Sequence, residues 1–125
     1  MPSTGLQLRS TITEDRVLEI TLVDVAIPKP GPDEVLVKVE ATPLNPSDLA
    51  LLFGPADLST ARVSGTDARP MVRADVPEEM MKMVAARVGQ SLPVGNEGAG
   101  TVIAAGDSEA AQALLGKRVG IIGGE

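Results

Sequence analysis

Pro30-Gly31-Pro32-Asp33-Glu34-Val35-Leu36-Val37-Lys38-Val39-Glu40 is the stretch on which the reading of this chain turns. Two prolines and a glycine break whatever precedes it. Val35, Val37 and Val39 then share one face of a strand, while Leu36, Lys38 and Glu40 share the other. A period of two over six residues is a strand signal, since a helix would need apolar positions three and four apart. The strand runs into Ala41-Thr42-Pro43-Leu44 and the turn Asn45-Pro46. Ser47 and Asp48 are placed to cap a short helix, Leu49 to Phe53, which Gly54-Pro55 end.

Toward the N-terminus, Leu6 and Leu8 alternate with Gln7 and Arg9, and Glu14-Asp15 make a turn. Leu18, Ile20 and Leu22 form a second alternating run whose phase slips at Val23, which predicts a bulge or bend there. Toward the C-terminus, a strand is predicted over Thr101 to Ala105 and another over Val119 to Ile122. Between them Asp107 or Ser108 caps a short helix carrying Ala111, Leu114 and Leu115, closed by Gly116. Residues from about 55 to 92 differ in character. Their first part is rich in Ser, Thr, Gly and Asp and reads as a mobile loop. Their second part, Pro77 to Val88, reads as a helix with Met80, Met81, Val84, Ala85 and Val88 on one stripe and Arg87 spoiling its edge.

Composition narrows the class. The chain has 125 residues, one domain's worth, with 43% hydrophobic residues but no Trp, no Tyr and a single Phe, so aliphatic side chains must fill the core. Thirteen Gly and ten Pro point to many turns. Short strands between Pro/Gly turns, with two or three brief helices, predict a mainly β fold, a barrel or partly open barrel. The formal net charge of −6 argues against nucleic acid as a partner, because phosphate neutralisation needs clustered cations. No apolar run is long enough for a membrane helix and no signal-peptide core stands at the N-terminus, so no membrane partner is expected and the cytoplasm is the default compartment. Zero Cys and zero His remove thiolate and imidazole both as metal ligands and as catalytic groups. Chemistry here rests on amides, hydroxyls, carboxylates or a borrowed cofactor.

Four segments in order carry a resemblance. They are Pro30 to Val39; Leu44-Asn45-Pro46-Ser47-Asp48-Leu49; Pro93-Val94-Gly95-Asn96-Glu97-Gly98-Ala99-Gly100-Thr101-Val102; and Gly116-Lys117-Arg118-Val119. Together they resemble the N-terminal, GroES-like domain of medium-chain dehydrogenases/reductases, and the second resembles the element of the zinc-free quinone-reductase branch. The resemblance implies a GroES-like, partly open β-barrel with a few short helices over residues 1–125, with about 55–92 as an inserted loop plus helix. It also implies a substrate-side domain for hydride transfer from NADPH or NADH to quinones, enones or related carbonyls. Zinc-dependent members carry a cysteine where Asn45 stands and a histidine where Asn96 stands, and neutral amides are poor zinc ligands, so no metal is expected. A G-x-G-x-x-G turn after a strand does not occur in the sequence, so the nucleotide-binding Rossmann domain is expected outside this chain, as its partner in a longer parent.

The resemblance makes Asn45 the leading catalytic candidate, placed to donate to a substrate oxygen or touch the nicotinamide; the alternative is a turn residue bonding its own backbone. Ser47 stands where relatives keep a proton-relay hydroxyl, against a plain capping role. Asn96 lines the substrate cleft or holds its loop, and Glu97, lacking a histidine or metal partner, reads as a solvated or capping carboxylate. Met80, with Met81 and Met83, forms an adaptable wall of that cleft or simply packs on the domain. The Pro77–Val88 helix is accordingly expected as a cap near Asn45 and Asn96. A reading from another class stays open, a stand-alone interaction or assembly module on the same fold, and so does a homo-oligomeric state.

Overall fold

The computed structural model describes residues 3–123. Nine residues, Thr4–Ile12, form β1, and Val17–Ala26 form β2. The two pair antiparallel in unbroken register from Thr4 opposite Ala26 to Ile12 opposite Leu18. No bulge interrupts β2 at Val23. Leu18 and Ile20 are buried, but from Thr21 to Val23 the strand is half-buried on both faces, so the hydrophobic pattern can change phase without costing the ladder a residue.

The chain divides into two compact units. The first holds β1 and β2 together with Asn45–Val94. Its sheet is completed by β4 (Asp57–Gly65), β5 (Pro70–Asp75) and the two-residue β6 (Leu92–Pro93), in the order β4-β5-β2-β1-β6. A hairpin, β4 with β5, therefore occupies the stretch that reads as a loop in the sequence. The reason is visible in its burial. Every residue of β4 except Thr60 is exposed, so selection for an apolar face is absent and the alternation that marks a strand never appears. Backbone pairing to β5 and the Arg62–Asp75 ion pair at 3.1 Å hold it instead, while β5 turns the buried Ala74 inward and pairs with β2.

Two helices pack on this unit: α1 (Pro46–Phe53) and a ten-residue 3₁₀ helix, Glu78–Arg87. The sequence predicts an α-helix over the second stretch; its tighter winding changes which residues align. At three residues per turn, positions three apart eclipse, so Met81, Val84 and Arg87 fall on one ridge. The core consists of Ile12, Leu18, Ile20, Leu52 and Val76, with Met80, Met81, Val84 and Val88 packed against it. Burial of these aliphatic side chains is the main stabilising term, at about 1.5–3 kcal/mol for each fully buried large one.

The second unit holds Ile27–Leu44 and the residues from Gly95 on. Its sheet has the order β3-β7-β8, with β3 Val35–Ala41, β7 Glu97–Ala105 and β8 Arg118–Ile122. The clearest strand of the sequence is thus an edge strand, and its register against β7 shifts twice, once past Ile103 and once past Glu40. Gly100 is buried where the strands come closest, and a Cβ there would run into the Lys38 carbonyl and stand 2.9 Å from Val39 Cα. Helix α2, Glu109–Ala113, is capped by Ser108, whose hydroxyl accepts from Ala111 N–H at 3.1 Å. The fold is mainly β with a few short helices, and neither sheet closes into a barrel.

Candidate functional site

Asn45 is the N-cap of α1, with extended backbone (φ −90°, ψ 155°) and Pro46 at the first helical position. Proline suits that place because its missing N–H is one that the helix would leave unpaired anyway. The helix therefore begins at Pro46, three residues before the Leu49 start that the sequence predicts, with Asn45 and not Ser47 as its cap. Asn45 and Asp48 form a capping box, in which the Asp48 carboxylate accepts the Asn45 N–H at 2.9 Å. Asp48 is only 4% exposed, and this bond accounts for a buried carboxylate in a short helix. Asn45 itself is half-buried. The box and a site role are compatible, since an amide carries an acceptor oxygen and two donor N–H groups.

Ser47, one position before Asp48, is exposed. Met80 is half-buried and packs against the core cluster of the first unit. The 3₁₀ helix carrying it bonds the C-terminal end of α1, where Arg87 Nη1 donates to Leu51 O at 3.1 Å. Met83 points away and is 75% exposed.

Asn96 belongs to the second unit. It sits in a bend just before β7, exposed, and its carbonyl accepts from Gly123 N–H at 2.8 Å, which extends the pairing of β7 with β8 by one step. Glu97 opens β7 opposite Ile122. With Thr42, Pro43 and Ile121 it lines an open groove of ≈ 640 Å³ whose walls are mostly apolar.

Among the described residues no three Asp, Glu, His or Cys side chains gather where an ion could be held. The glycines of the 95–100 stretch serve the backbone: Gly95 takes φ 112° and Gly100 lets β3 approach. Two side chains that sequence reasoning did not single out matter to α1. Ser10, fully buried on β1, donates to Leu52 O at 3.0 Å, and Arg87 Nη2 donates to Ser10 Oγ at 3.0 Å. Burial lowers the Arg87 pKa from its usual value. The signal for Arg87 was present in the sequence as a charge at the edge of an apolar stripe.

A sequence profile described as the alcohol dehydrogenase GroES-like domain matches residues 31–124. No curated protein matches the chain.

Proposed function

Because the chain belongs to the family of alcohol dehydrogenase GroES-like domains, and so to the dehydrogenase/reductase superfamily, we propose that it is the substrate side of a metal-free reductase of quinones, enones or related carbonyls. The observation that carries the metal-free reading is the donor set. Asn45 and Asn96 stand at the two positions where the zinc-dependent pattern has cysteine and histidine, and the chain contains neither residue type anywhere. Neutral amides are poor zinc ligands beside thiolate or imidazole, so no step is routed through a metal.

In this reading a reduced nicotinamide cofactor, NADPH or NADH, supplies the hydride, and a nucleotide-binding domain holds its phosphates. The chain's own part is positioning and polarisation. Asn45 sits at the N-terminus of α1, where the backbone dipole already favours negative charge. An amide N–H donated from there to the acceptor oxygen strengthens as hydride addition builds charge on that oxygen. Solvent then protonates the oxygen, since no histidine is present to do so. Ser47, on the same helix start, is the hydroxyl nearest in sequence that can relay that proton.

Asn45→Ser tests this in the protein as it occurs in the cell, with NADPH and a simple quinone. Serine is as good an N-cap as asparagine, so α1 keeps its start while the amide donor is lost. Loss of one such donor can lower kcat on the order of 10²–10³ in a favourable case. Wild-type kinetics in the variant would return Asn45 to a purely capping role. A wild-type protein that oxidises no reduced nicotinamide with quinones, enones or aldehydes would remove the reductase reading altogether.

A further inference from the structure

The last four carbonyls of α1 are the groups a helix cannot satisfy for itself, and here each has a partner. Gly54 N–H donates to Ala50 O at 2.9 Å and Ala56 N–H to Phe53 O at 3.1 Å. The other two partners come from far away in sequence. Arg87 Nη1 donates to Leu51 O at 3.1 Å, Ser10 Oγ donates to Leu52 O at 3.0 Å, and Arg87 Nη2 holds that hydroxyl at 3.0 Å. The last turn of α1 has no basic residue of its own, so Arg87 is also the cation that its carbonyl end favours. Both forked nitrogens are aimed at this end even though Arg87 Nε is left buried without a hydrogen bond.

We propose that Arg87 is a positioning residue for Asn45, setting where the N-cap amide stands by clamping the opposite end of α1. The proposal rests on the reading of Asn45 as the donor to substrate. From Leu51 back to Asn45 is about 9 Å along a helix axis at 1.5 Å per residue, a short rigid lever. The capping box holds one end and the guanidinium fork the other, and both belong to the same compact unit. Released at the fork, the helix can slide or rotate, and a displacement of about 1 Å at a catalytic group can cost on the order of 10² in rate. Lysine is a single-point donor and does not reproduce the fork.

The test sets Arg87→Met and Arg87→Lys beside Asn45→Ser and the Arg87→Met/Asn45→Ser double variant, assayed in the protein as it occurs in the cell with NADPH and a simple quinone. Arg87→Met is expected to lower kcat roughly tenfold or more with KM little changed, and Arg87→Lys to recover only part of it. In the Asn45→Ser background Arg87→Met should have no further effect on kcat, because two residues acting through one interaction are not additive. An independent readout uses asparagine labelling. The side-chain amide signal of Asn45 in an NMR spectrum is assigned by its loss in Asn45→Ser, and Arg87→Met should move that signal while leaving the signal of Asn96, the other asparagine of this sequence, in place. If Arg87→Met does not fold, Ser10→Ala, which removes the relay to Leu52, is read in the same way. Wild-type kcat in the Arg87 variants, independent effects in the double variant, or an unmoved Asn45 signal would each overturn the proposal. Wild-type kcat in Asn45→Ser sinks the donor role instead, and the NMR arm then still decides whether Arg87 places Asn45.

Discussion

Replacing Ser10 by alanine removes one oxygen atom from the middle of the first unit and leaves its volume nearly unchanged. Ser10 is fully buried, so water does not reach the groups it serves. Its hydroxyl donates to Leu52 O and accepts from Arg87 Nη2, both at 3.0 Å. The substitution therefore strands a carbonyl at the end of α1 and one guanidinium N–H. A buried polar group left unpaired costs about 1–3 kcal/mol, and the partial exposure of Arg87 discounts the second. We expect a loss of about 2–4 kcal/mol, a large part of the 5–15 kcal/mol typical of a folded domain. The chain has no Trp and no Tyr, so urea unfolding is best followed by far-UV circular dichroism. With an m value of about 1–2 kcal/mol per molar, the midpoint should fall by roughly 1–4 M at unchanged slope. A shift equivalent to less than about 0.5 kcal/mol would show that Ser10 does not bridge β1 to α1.

Three further outcomes are expected. Gly100→Ala should cost several times more stability than Gly98→Ala, because the first Cβ meets Lys38 C at 2.8 Å and Val39 Cα at 2.9 Å while the second finds Ala41 O and Ile121 at 3.4 Å; hydrogen exchange at β3 and β7 amides measures the difference. Asp57 should titrate below the ordinary aspartate range, since the Ser59 hydroxyl at 2.6 Å and the Ser59 N–H at 3.0 Å both donate to its carboxylate. A depressed folded-state pKa stabilises the fold above the ordinary value and loses that contribution as pH falls through the folded one. Carboxyl NMR should show the midpoint rising in Ser59→Ala, and no rise would discard these bonds as its cause. Excess Zn²⁺ should leave the urea midpoint where it was, because a ligand that binds only the folded form would raise it; a concentration-dependent increase would reveal a metal site that the donor set does not foretell.

Some of this protein follows from local chemistry, which the sequence carries in full. Val35 to Glu40 alternate because a pleated strand sends successive side chains to opposite faces, and β3 lies there. Ser108 stands three residues before Ala111, the spacing a hydroxyl cap needs, and it caps α2. The ordered segments from Pro30 to Val119 are likewise readable one after another, and they suffice for the family. Other features exist only after distant pieces meet. The polar β4 is a strand because β5 is beside it, not because its side chains ask for one. Val23 needs no bulge because β1 continues opposite it. Arg87, a flaw in an α-helical stripe, becomes an inward residue once the helix winds at three residues per turn and the end of α1 presents Leu51 O. Short-range pattern reports on the face a residue shows to its own element; the partner that satisfies a half-buried carbonyl 36 residues away in sequence is set by tertiary packing alone.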